Sequence, residues 1–241
     1  MDIRYFDTLD STNQYCKLLD PNTVGEFTVI CARTQTAGIG QQGNVWVSEG
    51  GKNLTFSIIL KPTFLPASRQ YELTMMLAVA VATTVEKYCN GSPVAIKWPN
   101  DIYVSDRKIC GILTTSNIKE QHLAQSICGV GLNVNQTSFP KWLPNPVSIK
   151  QVTGHHIELE SLLEDLLQSV DKEYSLLKES PTCIAERYHR RLYRLGSEAS
   201  YLLDDNEIRA TITGVDRFGH LQLLTDSGDT VSCDIKEVRF L

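Results

Sequence analysis

Lys97-Trp98-Pro99-Asn100-Asp101-Ile102-Tyr103-Val104-Ser105-Asp106-Arg107-Lys108-Ile109-Cys110-Gly111-Ile112-Leu113 gathers lysines, carboxylates, an amide and a glycine into one short stretch. The apolar residues between them have strand character. Val94 to Trp98 reads as a strand that Pro99 must end, because proline restricts the residue before it to extended backbone and has no N–H for a central ladder. Asn100-Asp101 then sits at a turn, Ser105-Asp106-Arg107 makes a hairpin turn, and Lys108 to Thr115 returns. If 97–104 pairs antiparallel with 108–115, Lys97 and Lys108 lie near one rim of a sheet. There a partly buried lysine acts as a point charge for a phosphate or carboxylate. Asn100 and Asp101 are candidates for holding a nucleotide or Mg²⁺, or are simply turn residues.

Working outward, Gln125 to Asn135 reads as a further strand. It carries Gly129 and Gly131, and glycine inside a strand often marks a close approach to the backbone. On the other side, Arg69 to Cys89 is an apolar helix, with Leu73, Met76, Leu77, Val79, Ala80 and Val81. Leu54 to Leu60 is a strand. Before it, Thr34 to Trp46 holds Gly38, Gly40 and Gly43 without periodicity, which marks a loop able to cover a ligand or wrap a phosphate with N–H groups. Its Gly-x-Gly-x-x-Gly leads into a strand rather than a helix, so it is not a dinucleotide-binding fingerprint. Near the start, Ser11 with Gln14 three residues on is a capping-box pattern for a short helix. Strands are expected at Asp2–Phe6 and Phe27–Arg33.

After Asn135 the pattern breaks into a proline-punctuated connector, Ser138 to Pro146. Glu158 to Leu177 is an amphipathic helix and Cys183 to Tyr193 another. His155, His156 and His189 have no metal-ligand spacing and read as surface residues. From Ala199 onward come short strands punctuated by Asp204-Asp205-Asn206, Arg217-Phe218-Gly219 and Asp226-Ser227-Gly228, the pattern of a small SH3-like β module.

Composition narrows the class. The 241 residues are 42% hydrophobic and 21% charged, which suits a globular chain with a sizeable core. The formal net charge of -5 argues against a broadly basic nucleic-acid surface. The 7 cysteines form no CxxC pair and are odd in number, as expected of free core thiols in a reducing compartment. No apolar run approaches the roughly 20 residues of a membrane span. These features point to a cytoplasmic protein.

Taken in order, Asp10-Ser11-Thr12-Asn13, Gln35-Thr36-Ala37-Gly38-x-Gly40 with Gly43 and Trp46, Lys97-Trp98-Pro99-Asn100-Asp101, Lys108-x-x-Gly111-Ile112-Leu113 and Gly129-x-Gly131-x-Asn133-x-Asn135 resemble the biotin–protein ligase family over essentially the whole chain. The Lys-Trp-Pro-Asn-Asp string and the Lys-x-x-Gly-Ile-Leu that follows are its most specific parts. The resemblance implies an α+β catalytic domain of the class II synthetase type over 1–193, a mixed sheet with packed helices, and an SH3-like domain over 194–241. It implies ATP and Mg²⁺, biotin as substrate, and the lysine of a biotin carboxyl carrier protein of acetyl-CoA carboxylase or a related carboxylase as acceptor. By the family pattern Lys108 contacts the biotin carboxyl and the α-phosphate. Lys97, Asn100 and Asp101 support the triphosphate and metal. Ser11, Thr12, Asn13 and Gln35 bond the biotin head, and Gly38, Gly40 and Gly111 lie against it. Trp46 covers the ligand, and Gly131 and Asn133 serve the nucleotide, Asn133 at the adenine edge.

Two departures carry expectations. The family's loop is usually arginine-rich, of Gly-Arg-Gly-Arg type, whereas Gly38 to Asn44 here has no cation and Ile39 stands where an arginine is expected. Isoleucine cannot replace bidentate phosphate contacts, so adenylate retention or rate should be reduced unless another cation, Arg33 for example, compensates. Some members carry an N-terminal winged helix; the chain begins at the catalytic domain, and no DNA binding is expected. The alternatives are a lipoate–protein ligase-like enzyme and a degenerate biotin- or adenylate-binding homologue. Nothing in the sequence chooses between monomer and homodimer.

Overall fold

The computed structural model describes residues 1–241. Seven strands form one mixed sheet: β1 (Asp2–Leu9), β2 (Thr28–Gln35), β3 (Leu54–Leu60), β4 (Val94–Lys97), β5 (Asp101–Val104), β6 (Arg107–Lys119) and β7 (His122–Leu132). Their order is β1-β2-β3-β7-β6-β5-β4. β1 and β2 are parallel, joined through the short helix α1 (Thr12–Leu18), and the pairs β2–β3, β3–β7, β7–β6, β6–β5 and β5–β4 are antiparallel. The stretch around Pro99 thus holds the expected hairpin, β5 with β6, and a second one, β4 with β5. β4 folds back on β5 through Trp98-Pro99-Asn100, and the Trp98–Pro99 peptide is cis.

Alternation fixes the two faces of the sheet. Phe56, Ile58, Ile102, Ile112, Cys128, Val130 and Leu132 point to one side and join helices α2 (Tyr71–Tyr88), α4 (Leu159–Glu179) and α5 (Pro181–His189) in a single apolar core. α2 runs through the middle of that layer, which is why it is apolar nearly all round: every residue from Met75 to Ala82 is buried. The opposite face is covered at one end by α1, where Cys16 packs with Ile30, Ile59 and Ile127. Elsewhere on that face the sheet presents small residues: Ser57, Gly111, Gly129 and Gly131.

The C-terminal strands β8 (Glu198–Leu203), β9 (Asn206–Val215), β10 (Leu221–Thr225), β11 (Thr230–Cys233) and β12 (Val238–Phe240) form a second, antiparallel sheet ordered β11-β10-β9-β8-β12. The expected SH3-like module is therefore an open sheet, since β11 and β12 do not pair. Its inner side chains, among them Tyr201, Ile212, Leu221 and Val238, belong to the same apolar core as the helices.

Some local features escape the sequence patterns. Helix α3 (Ile149–Thr153) is one short turn whose capping box, Ser148 with Gln151, and left-handed Gly154 hold it in place without an apolar repeat. The strand expected to run to Asn135 ends at Leu132, because Val134 N–H turns to Asn53 Oδ1 and Asn135 N–H to Lys52 O. His189 is half-buried and hydrogen-bonded rather than free on the surface. Its Nδ1 lies 2.7 Å from Ala185 O, and Nε2 accepts from Val215 N–H at 2.9 Å, tying α5 to β9. The cysteines are all free and all but Cys183 are buried; burial pushes the thiol of Cys31 up to about 11 and that of Cys16 up to about 12, as expected of inert core residues.

Between α4 and α5 the carboxylate of Glu173, only 1% exposed, pairs with Arg187 at 2.7 Å. Arg187→Ala leaves that charge buried and unpaired, so chemical denaturation is expected to show a loss of about 3 kcal/mol. A loss below about 1 kcal/mol would mean that water reaches Glu173 and the pair is not structural.

Candidate active site

Cross-strand register lines up the key residues. Lys97 stands opposite Asp101, Asp101 opposite Gly111, Gly111 opposite Gly131 and Gly131 opposite Thr55. One step along, Leu113 faces Gly129 and Gly129 faces Ser57. Directly opposed residues share a face, and Asp101, Gly111, Gly131, Leu113, Gly129 and Ser57 from these rows line the floor of a cavity of about 170 Å³. The floor is low because three of its positions carry no side chain.

Lys108 would point into the helical core if strand β6 alternated regularly with Cys110 and Ile112. It does not, because the β5–β6 register slips between Ile102 and Tyr103. The bulge places both Ile109 and Cys110 in the core, each fully buried, and turns Lys108 onto the cavity side. A Cβ on Gly111 would lie 3.5 Å from Lys108 Nζ. The ammonium meets Asp101 Oδ1 at 2.6 Å, with both side chains mostly buried. Burial pushes the Asp101 carboxyl up, against the pull of Lys108 and Lys97. Lys108 is the only cationic side chain lining the cavity. Asn100 braces the turn from beside it, donating Nδ2–H to Ile112 O at 2.6 Å and accepting Ile112 N–H at 2.9 Å.

At the other end α1 supplies polar groups. Ser11 is its N-cap, accepting a long bond from Gln14 N–H at 3.5 Å. Thr12 N–H donates to Gln35 Oε1 at 2.8 Å, and its hydroxyl shares a hydrogen with Ser57 Oγ at 2.8 Å. Asn13 Nδ2 is buried beside Gly129 with no acceptor. A buried unpaired donor is costly in an empty protein and favourable once a ligand carbonyl meets it.

The glycine-rich loop is a small ordered hairpin. Ile39 bridges Val45, Trp46 N–H donates to Gly38 O at 2.9 Å, and a 3-10 turn (Gln41–Gly43) closes the tip. This delivers the Trp46 indole onto the bare backbone of Gly131 and Gly111. A Cβ on Gly131 would fall 2.6 Å from Trp46 Nε1, so no side chain fits there. Gly38 is equally constrained, a Cβ meeting Trp46 O at 2.5 Å.

Trp46 and Lys108 also line a second cavity of about 260 Å³. The proline-punctuated connector forms its far wall: Lys108 N–H donates to Asn145 O at 2.8 Å and Val147 N–H to Lys108 O at 2.9 Å, bringing Phe139, Trp142 and Pro146 alongside. Asn133 lies in this wall, with Nδ2–H on Val147 O at 3.1 Å and a buried Oδ1 that has no partner. A largely apolar slot with one free acceptor suits an aromatic ring bearing an amino group.

Of the residues singled out by sequence, Ser11, Thr12, Asn13, Gln35, Gly40, Trp46, Asn100, Asp101, Lys108, Gly111 and Gly131 line the first cavity, and Asn133 the second. Gly38 supports Trp46 from behind. Lys97 lines neither; its ammonium lies against Tyr103 and Phe240. Arg33 does not compensate for the missing loop cation, since it lines a separate groove with Tyr5, Asp7 and Glu160. Sequence reasoning passed over Ser57, whose signal was a hydroxyl inside the otherwise apolar Leu54–Leu60, and Trp142, whose connector has no period to place it.

A family model described as the biotin/lipoate A/B protein ligase family matches residues 5–133, more than half of the chain. The chain is 36% identical over 173 residues to the bifunctional ligase/repressor BirA of Bacillus subtilis (strain 168), a match covering 70% of this chain and 53% of that protein. It thus spans about half the length of that relative. It is 28% identical over 228 residues to the biotin--[acetyl-CoA-carboxylase] ligase of Paracoccus denitrificans, covering 92% and 94%. Among solved structures it shares the fold of a biotin protein ligase from Aquifex aeolicus in complex with biotin and ATP, with a TM-score of 0.83, 24% identity and coverage of 100% and 99%.

The contact of Trp46 with Gly131 is testable without any ligand. Gly131→Ala is expected to shift tryptophan fluorescence and lower the melting temperature, and to do so much less in a Trp46→Ala background. Additive effects of the two substitutions would mean that the indole does not rest on Gly131.

Proposed function

The chain belongs to the biotin/lipoate A/B protein ligase family, and from this premise we propose that it activates biotin with MgATP and transfers it to a lysine of a biotin carboxyl carrier domain, that of acetyl-CoA carboxylase or a related carboxylase. The observation that carries the proposal is the position of Lys108, the one cation shared by a polar-ended cavity and an apolar slot. In the first step a biotin carboxylate oxygen attacks the α-phosphorus, pyrophosphate leaves with the bond electrons, and biotinyl-5′-AMP results. Two anions must approach each other, and Lys108 offsets their repulsion at the point of contact. In the second step the carrier's lysine amine attacks the acyl carbon, AMP leaves, and the amine gives up a proton as the amide forms. Trp46, closed over the glycine floor, keeps water from the anhydride.

The head cavity favours biotin over lipoate. Thr12, Asn13, Gln35 and Ser57 offer donors and acceptors suited to a ureido ring, whereas a dithiolane would leave them buried and unpaired. Asn133 Oδ1 is free to accept from the adenine amino group. For Mg²⁺ the donors are poor: Asp101 is the only carboxylate at the cavity and is already paired with Lys108. Magnesium demands near-octahedral oxygen ligation and is commonly held through substrate phosphates. It therefore enters with the nucleotide, as MgATP, with Asn100 and Asp101 at most bordering it. We assign residues 1–193 to the catalytic domain and 194–241 to the C-terminal module, and place the protein in the cytoplasm with its carrier.

Biotin-dependent exchange of pyrophosphate into ATP tests the first step. Wild-type protein is expected to exchange with biotin and not with lipoate, and Lys108→Ala to lose on the order of 100-fold or more. Near-normal exchange by Lys108→Ala would remove the lysine from the chemistry.

The loop supplies no cation, since Ile39 and Gln41 line the cavity where a charge is expected. Biotinyl-AMP should therefore be released more readily than from an arginine-bearing loop. Ile39→Arg is expected to slow its dissociation by about tenfold, the worth of one charge-assisted contact. An unchanged rate would mean that the loop is not short of a charge.

A further inference from the structure

The glycine-rich loop leaves the sheet at the end of β2, and there it is fastened to the turn between β1 and α1. The parallel pairing of β1 with β2 runs out where Leu9 stands opposite Gln35. Two backbone bonds carry the contact one step further, Thr36 N–H to Leu9 O at 3.0 Å and Ala37 N–H to Asp10 O at 2.9 Å. Two side chains then cross between the segments in opposite directions. Gln35 Oε1 accepts the Thr12 N–H at 2.8 Å, and Asp10 Oδ1 accepts the Thr36 hydroxyl. The returning limb of the loop rejoins the same strand, Gly51 N–H donating to Arg33 O at 2.9 Å.

From Thr36 to Trp46 the bond to Asp10 is the only side-chain hydrogen bond between the loop and the rest of the chain. Beyond Ala37 the backbone bonds are internal, among them Gly40 N–H to Asn44 O and Trp46 N–H to Gly38 O. The Trp46 indole N–H itself has no partner. The direction in which the chain leaves Gln35 therefore decides where the hairpin, and Trp46 with it, comes to rest. Asp10 and Thr36 are both exposed, so water competes for their bond. A hydrogen bond to a charged acceptor is nonetheless among the stronger ones, and it holds the stem of the loop before any ligand arrives.

We propose that Asp10 and Thr36 are positioning residues that clasp the loop stem to the turn carrying Ser11 and Thr12, and so set how long the loop stays closed over biotinyl-AMP. This rests on the ligase reading of the cavity and gives a role to two residues that line neither cavity. With no cation in the loop to grip the adenylate, retention falls to the stem and to Trp46. Loop opening of this kind governs release of a bound intermediate rather than the bond-making step.

The test is release of labelled biotinyl-AMP, formed on the full chain from biotin and MgATP, into an excess of the unlabelled adenylate. Thr36→Val keeps the shape and removes the donor; it is expected to speed release about three- to tenfold, the range of one hydrogen bond, with single-turnover formation of the adenylate within about twofold. Thr36→Ser should restore the wild-type rate, and Asp10→Asn, which keeps an acceptor oxygen, should lie between wild type and Asp10→Ala. Asp10→Ala combined with Thr36→Val should release no faster than either alone. Asp7→Ala, which removes an exposed carboxylate from the same strand, should change nothing. A wild-type release rate in Thr36→Val, equal losses in formation and retention, or additive effects in the double variant would overturn the proposal. If wild-type protein forms no biotinyl-AMP, the ligase reading fails. Amide hydrogen exchange over residues 36–46 then tests the clasp without ligand: faster exchange in Thr36→Val supports it, and unchanged exchange overturns it.

Discussion

A sheet has two faces, and in this chain one is packed throughout while the other is packed only at the end covered by α1. The helical side is packed without interruption from Phe56 to Ile112 and continues into α2, α4 and the C-terminal strands. The other side is cleared by Gly111, Gly129 and Gly131, with the small side chains of Ser57 and Thr55 opposite the last two. Everything that can bind a ligand depends on that emptied floor. It admits the Trp46 indole to within contact of the backbone, and it leaves room between α1 and Lys108 for a molecule with a polar head and an acid tail. A single added methyl at Gly131 would collide with Trp46 and disturb the loop and the cavity together.

Charge is used sparingly in this space. Lys108 and Asp101 face each other at 2.6 Å, and the cavity contains no other ionised group. Burial raises the Asp101 carboxyl, and an approaching phosphate would compete with it for Lys108. Burial also pushes the Lys97 ammonium down, Asp101 pulls it up, and Lys108 and Arg194 add to the downward push. The Lys97 ammonium lies between the Tyr103 and Phe240 rings. A loop with Ile39 and Gln41 in place of cations leaves Lys108 as the only cationic side chain at the cavity.

Much of this was legible from the residues alone. The strand Leu54–Leu60 and the helix α2 declare themselves by continuous apolar runs, and Ser11 marks the start of α1. Pro99 announces a break that the structure shows as the fold-back of β4 onto β5. What the sequence could not show is direction. Counting along β6 puts Lys108 with the core residues, and only the bulge at Ile109 turns it outward; a bulge leaves no residue signature here. Lys97 reads as a partner of Lys108 on one hairpin, yet its neighbours Tyr103 and Phe240 come from a strand beside it and from the far end of the chain. The connector at Ser138–Pro146 has no period, so its role as the wall of the second cavity appears only when Asn145 and Val147 are seen to bond Lys108.

The central claim is that Lys108 joins two substrates so that biotin ends on a carrier lysine. Intact mass spectrometry of a biotin carboxyl carrier domain after incubation with the protein, biotin and MgATP measures this most directly. The account predicts one added biotinyl group on the carrier, dependent on both small molecules and lost with Lys108→Ala. A carrier left at its original mass by the wild-type protein, or modified equally well by Lys108→Ala, would contradict it.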